Sequence, residues 1–443
     1  MRRFHASRFV RSAGLRVPRF ALRGLLAGLL FSCASAAFAA AGDRAANVIL
    51  FIGDGMGTEH VKAARYFKGA PLCFENFPHF ALVDTDCLEG LTDSAAGATA
   101  IATGTRVAYY TYGDRSSHHL PTVLEYFQGK GKRTGLVTTD YMTAATPAAF
   151  ATHAYERDDS VQVALDYLAT IKPNVLLGGG GHSLTVEDAA AAGFAVATNV
   201  AELAAVDPAA TEYLSGQFGD GQMPYESDGI GDFPHLREMT SVALSVLERE
   251  PAGFFLMVEG ANIDHAAHGN DLSRMIPEAL EFEAAVQVAL DWAANRNDTF
   301  ILVTADHETG GLVVLSDLGA GNEPEVEWTT GDHTQTPVGG WAWGPGSERL
   351  DGSMANTNTF HALRDAALLH TFCLGTQMDE GGRQSHVWAA APGDVFRIEY
   401  ADDLETAEWT PLGVATAATE SVCIVDTNAW PLAQRFYRAA ALP

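Results

Sequence analysis

Asn47-Val48-Ile49-Leu50-Phe51-Ile52-Gly53-Asp54-Gly55 reads as a buried strand that runs into a carboxylate set between glycines. An apolar run without polar alternation is what a strand covered on both faces requires. Four runs resemble it: 134–139, 174–177 leading into Gly178-Gly179-Gly180-Gly181, 253–258 ending at Glu259, and 299–304 ending at Ala305-Asp306-His307. Helical patterns lie among them, including 160–171, 236–248 and 277–294. This alternation predicts an α/β fold with a central, mostly parallel sheet flanked by helices on both faces. In open sheets of that kind ligands bind beyond the carboxyl ends of the strands. Three such ends carry Asp54, Glu259 and Asp306-His307. One carboxylate after a strand can simply cap the next helix; three in one chain point to chemistry.

Leu91-Thr92-Asp93-Ser94-Ala95-Ala96-Gly97-Ala98-Thr99-Ala100 sets a serine beside a carboxylate at the start of a small-residue helix. A helix N-terminus favours an alkoxide and an incoming phosphate. Serine still needs a base or a metal to become a useful nucleophile. Asp264-His265-Ala266-Ala267-His268 places Asp264 and His268 on one side of a helical turn. That pattern is common by chance, and its bland reading is a solvated helix face. Asp306-His307 is followed by Glu308-Thr309-Gly310-Gly311, and His333 stands in Gly331-Asp332-His333-Thr334. Each has a bland reading as a turn or an isolated histidine. A carboxylate–imidazole mix suits zinc, and a carboxylate–hydroxyl set suits magnesium.

The chain has 443 residues, 47% of them hydrophobic and 19% charged, which fits a large folded domain with a second module rather than a disordered chain. Residues 1–39 carry seven arginines and no acid, then an apolar run from 24 to 31 and Ala37-Phe38-Ala39. This reads as a signal peptide, so the mature chain is expected to be exported, periplasmic or extracellular, with no transmembrane segment. The rival readings fit less well. The apolar run is short for a retained anchor, and Phe31-Ser32 is a poor lead into a lipoprotein site at Cys33. Cleavage takes the formal charge from −27 to −34, which disfavours nucleic-acid binding beyond terminal phosphates. Of the five cysteines, four remain. Proximity pairs Cys73 with Cys87 and Cys373 with Cys423, one of three connectivities. Beyond the domain at 45–372, residues 373–384 read as a linker and 385–443 as a small β-rich module with period-two patterning. No internal repeat is present.

Taken in order, residues 47–57, Asp93-Ser94-Ala95-Ala96-Gly97-Ala98-Thr99-Ala100, Val258-Glu259-Gly260-Ala261-Asn262-Ile263-Asp264, residues 304–311 and Asp332-His333-Thr334 resemble the signature segments of alkaline phosphatases. Five segments in the family's order are far more specific than any one motif. The resemblance implies an exported phosphomonoesterase that works through a phosphoserine at a site of two Zn2+ and one Mg2+. It implies Ser94 as the nucleophile. Asp264, His268 and His333 would hold one zinc, and Asp54, Asp306 and His307 the other. Asp54 would also reach the magnesium, held with Glu259 and with Thr146 of Ala144-Ala145-Thr146-Pro147. Arg157, ending His153-Ala154-Tyr155-Glu156-Arg157, would clamp two phosphate oxygens. Asp93 and His265 would support the site from behind the ligands, His265 alternatively touching phosphate or a metal-bound water.

The chain departs from the family pattern at Ala144, two residues before Thr146, where members often carry Asp or His, and this weakens support for the magnesium. The stretch from Gly311 to His333 is too short for the large inserted lobe some relatives carry. Phosphate monoesters are the expected substrates. A homodimer, and a surface or glycan contact of the C-terminal module, are left open. A phosphodiesterase, a sulfatase and a non-catalytic phosphate-binding protein are the rival functions; the C/S-x-P-x-R setting of a sulfatase is absent around Ser94. Gly178 to Gly181, His118-His119, His153, His182, Trp341 and Trp343 are read as turn, surface or packing residues.

Overall fold

The structure is a computed structural model that describes residues 44–112 and 120–367, with six strands between 373 and 442. The N-terminal segment read as a signal peptide and His118-His119 lie outside the described residues. In chain order the strands are β1 Asn47–Gly53, β2 His79–Asp84, β3 Arg133–Tyr141, β4 Val175–Gly179, β5 Ala195–Ala197, β6 Leu214–Gln217, β7 Phe254–Gly260 and β8 Thr299–Thr304. They continue as β9 Glu308–Thr309, β10 Leu312–Ser316, β11 Glu325–Trp328, β12 His333–Thr334, β13 Val338–Trp343 and β14 Gly352–Ala355.

Ten of these form one sheet in the order β14-β2-β13-β8-β1-β7-β3-β4-β6-β5. From β8 to β5 every pairing is parallel; β13 alone runs against its neighbours. The expected mostly parallel sheet is therefore present, with β1 at its centre. Alternate residues of β1 enter two separate cores. Ile49 and Phe51 pack with the helices Leu236–Leu247 and Leu272–Ala293. Val48, Leu50 and Ile52 pack with Ser94–Thr103, Val123–Gly129 and Thr357–Ala367. Full burial of each such side chain is worth roughly 1.5–3 kcal/mol, so a one-residue slip in β1 would cost both cores at once.

Several local expectations are corrected. The helix expected at 277–294 begins earlier, at Leu272, where the Asp271 side chain accepts from the Arg274 N–H. Pro277 lies inside it, in the second turn, where it cannot donate to the Ser273 carbonyl. The stretch 160–171 divides into an α-helix, Ser160–Leu165, and a wider π turn, Asp166–Thr170. Cys73 and Cys87 are free thiols and do not pair. The expected linker carries a strand, Cys373–Met378. The following strands pair antiparallel in two three-stranded sheets. No described helix is long and apolar enough to cross a membrane.

Candidate active site

Four neighbouring strands of the sheet, β8, β1, β7 and β3, end side by side, and the candidate residues leave from those ends. Asp54 follows β1, Glu259 is the penultimate residue of β7, and Asp306 and His307 follow β8. Gly310 and Gly311, both at positive φ, reverse the chain after β9. The ribbon of β9 and β12 then pairs Thr309 with His333, which carries His333 back over His307. Gly55, at φ 67°, lies so close to Asp264 and Thr309 that a Cβ would come within 2.7 Å of both side chains.

Ser94 opens the helix Ser94–Thr103, whose small residues let it lie against the strand ends. Asp93 caps this helix by accepting from the N–H groups of Ala95 and Ala96, each at 3.3 Å. The same buried carboxylate accepts from the Tyr110 N–H at 2.8 Å and from Arg157 Nη1 at 2.8 Å. Asp93 thus fixes the serine and the arginine together. Ser94 Oγ lies 3.3 Å from His307 Nε2.

That ring nitrogen is also 3.3 Å from Asp54 Oδ1 and 3.4 Å from Asp306 Oδ2. The second cluster, Asp264, His268 and His333, gathers in the same way, with the ring Nε2 atoms of His268 and His333 3.1 Å apart. In each set of three, the ligand atoms lie within 4.8 Å of one another. The tautomers follow from the partners, since a carbonyl can only accept. His268 Nδ1 donates to the Gly331 carbonyl at 2.7 Å and His333 Nδ1 to the Thr92 carbonyl at 2.9 Å. Thr309 donates its hydroxyl to Asp264 and so accepts from His307 Nδ1 at 3.2 Å. All three histidines turn Nε2 toward the clusters, the arrangement that outer hydrogen bonds impose on metal-ligating imidazoles.

The electrostatics are those of a site that wants cations. Burial, with repulsion from Asp306, Asp264 and Glu259, holds Asp54 well above the usual carboxylate range. Burial and neighbouring carboxylates likewise push Asp306 up to about 7 and Glu259 up to about 8. At Asp264 burial acts in the same direction, but the three histidines outweigh it and hold the group low. Among the described residues five buried side-chain oxygens have no hydrogen-bond partner: Asp54 Oδ1, Asp306 Oδ2, Thr146 Oγ1, Thr99 Oγ1 and the Tyr167 hydroxyl. Orphaned buried oxygens are rare and call for a reason, and the first three belong to one site.

Thr146 lies in the helix Ala145–Ala151, near enough to Glu259 to favour its charged form. Glu259 also accepts from the Thr138 hydroxyl at 2.6 Å. Ala144 supplies no donor at this place. His265 pairs with Asp140, 3.7 Å from its Oδ2, and is steadied by Asn262 Oδ1 at 3.2 Å. Thr138, Asp140 and Thr309 were not singled out from the sequence. Thr309 had a signal, since it stands two residues after His307, as a neighbour on the same strand face would. Of the residues read as bland, Trp341 packs on Phe74, His182 stacks on Tyr141, and Gly178 and Gly179 belong to β4. His153 sits beyond its helix, 3.0 Å from Glu125.

The alkaline phosphatase family profile matches residues 45–324, and the chain belongs to that family. It is 34% identical over 296 residues to alkaline phosphatase 3 of Bacillus subtilis (strain 168), covering 62% of this chain and 63% of that protein. The alkaline phosphatase of the Antarctic bacterium TAB5 superposes with a TM-score of 0.67 at 29% identity, covering 73% of this chain and 98% of the other. A variant of the TAB5 enzyme with Mg bound in its M3 site superposes with a TM-score of 0.65 at 27% identity, over 73% of this chain and 98% of the other.

Proposed function

We propose that this chain is an exported phosphomonoesterase that acts through a phosphoserine at Ser94, with two zinc ions and one magnesium ion at the strand ends. The observation that carries this reading is the set of orphaned buried oxygens on Asp54, Asp306 and Thr146, beside histidines that all present Nε2. Asp264, His268 and His333 would hold one zinc; Asp54, Asp306 and His307 the other. Glu259, Thr146 and a shared Asp54 form an oxygen set that suits magnesium, and Asp140 lies close enough to Glu259 to disfavour its charge. Bound there, divalent cations would neutralise the phosphoryl oxygens, lower the serine pKa and activate water.

The chain's own residues supply the rest. Ser94 Oγ attacks phosphorus in line and loses its proton, and the alcohol departs opposite. Water then displaces Ser94 from the phosphoserine and releases phosphate. Positioning matters more than covalent activation in such transfers. The Ala95 and Ala96 N–H groups of the helix N-terminus are taken by Asp93, so the helix would contribute its dipole to the phosphate pocket rather than those N–H groups. Arg157, its Nη1 held by Asp93, would bind two phosphate oxygens, as its planar fork allows. The apolar arginine-rich N-terminal segment underlies the inference of export.

The test is hydrolysis of p-nitrophenyl phosphate beside bis-p-nitrophenyl phosphate, with zinc and magnesium present. We expect monoester turnover that falls at least about 10³-fold in Ser94→Ala. Preferential diester turnover would move the assignment to a phosphodiesterase, and turnover of neither to a binding protein.

A further inference from the structure

After the Ser94 helix the chain returns at Tyr109 and Tyr110 to the residues that hold Ser94 and Arg157. The Tyr110 N–H is held by Asp93, the carboxylate that also caps that helix and holds Arg157. Its ring lies under the Arg157 guanidinium, 5.2 Å from carbon to ring centroid, and its hydroxyl donates to Asp158 at 3.1 Å. Tyr109 stacks on Tyr110, with centroids 6.1 Å apart and planes at 25°.

These contacts hold an unfavourable conformation. Tyr110 has φ 67°, a region that bulky residues avoid. The Arg157 N–H, donating to the Tyr110 carbonyl at 3.3 Å, helps to pin it. Strain of this kind persists only where the surroundings impose it, and it clusters at ligand clamps. The result is two large rings left 48% and 41% exposed. Burial and the carboxylate of Asp93 push the Tyr109 phenol up, Arg157 opposes them, and Asp332 adds to the rise. Tyr109 therefore feels the charges of Arg157 and of Asp332, the residue before His333. Arg157 already covers Tyr110, which leaves Tyr109 to meet whatever extends from a bound phosphate.

We propose that Tyr109, backed by Tyr110, is a stacking platform for a flat aromatic group on the leaving alcohol, so that aryl and nucleoside monophosphates are the preferred monoesters. This rests on the phosphomonoesterase reading above. A neutral ring suits an acidic chain of formal charge −27, because it adds affinity for the leaving group without repelling the phosphate. Stacking of a base on an aromatic side chain is sequence-tolerant and contributes substantially to binding.

The experiment compares kcat/KM for phenyl phosphate, adenosine 5′-monophosphate and glycerol 2-phosphate in the metal-replete wild type, Tyr109→Ala and Tyr109→Phe. We expect the ratio of an aromatic substrate to glycerol phosphate to fall fivefold or more in Tyr109→Ala and to be kept in Tyr109→Phe. A fall for phenyl phosphate alone places the aromatic group next to the phosphate; a fall for the nucleotide alone places it one sugar away. Ratios unchanged in Tyr109→Ala, with a thermal midpoint like the wild type's, would overturn the platform while leaving phosphomonoester hydrolysis intact. A wild type that turns over none of the three would overturn both.

Discussion

Two regions of this molecule gather carboxylates and histidine at metal-ligating distances, one fully buried and the other half-buried, and they differ in how their charges are answered. At the strand ends, Asp54, Asp306 and His307 leave two buried oxygens without partners. On the helical side, Glu226, His235 and Glu281 are just as close together, yet their charges are answered within the protein. His235 Nδ1 meets Glu226 at 2.9 Å, and Glu281 accepts from both the Arg237 backbone and its guanidinium. Glu278, beside them, accepts the Glu226 N–H at 2.7 Å. Closeness alone therefore does not define a metal site. What separates the two is whether hydrogen bonds and ion pairs satisfy the carboxylates once they are buried.

The sharpest way to break this distinction is a pair of isosteric substitutions. Asp306→Asn should lower monoester kcat/KM by at least about 10²-fold, because it removes a buried anion from the site where phosphoryl charge must be neutralised. Glu281→Gln should leave kcat/KM within about twofold and act on thermal stability instead, through the lost pair with Arg237. Similar losses of activity in both would erase the contrast.

A smaller effect sharpens it from the helical side. Burial, with repulsion from Glu226 and Glu281, pushes Glu278 up to about 8 from 4.5. The folded state then binds more protons than the unfolded state between those values, so this group's contribution to stability is present below pH 4.5 and is lost as pH rises through 8. Glu278→Gln, a mimic of the neutral form, should raise the thermal midpoint at pH 8.5 by about 2–4 °C relative to the wild type. The difference should vanish near pH 4.5. A constant offset across pH would show that Glu278 titrates normally.

The sheet was legible because β1, β7 and β8 are unbroken apolar runs whose last residues are the candidate ligands themselves. Helical spacing set Asp264 and His268 on one side of a turn but favoured a solvated face, and only the signature segments made them ligands. The signature segments supplied the grouping into two sets, which spacing alone left open. Long-range register hid the rest. Thr309 gains its role only because β9 pairs with β12, and Asp140 only because β3 runs on past the end of β7. Tyr109 and Tyr110 stand in no periodic pattern; what marks them is an exposed stack and a positive φ, neither of which composition reveals. The expected Cys73–Cys87 bridge failed because Cys73 is instead taken up at the Glu283 backbone carbonyl and Cys87 at that of Leu91.

The most direct measurement is the divalent-metal content of the purified chain by elemental mass spectrometry, made on the wild type, Asp54→Asn, Asp264→Asn and Glu226→Gln after dialysis against a weak chelator. We expect two zinc ions and one magnesium ion per chain in the wild type, a loss of zinc in both strand-end variants, and wild-type content in Glu226→Gln. Metal lost from Glu226→Gln and kept in Asp54→Asn and Asp264→Asn, or full monoester turnover by a metal-free wild type, would contradict the assignment of the strand ends as the metal centre.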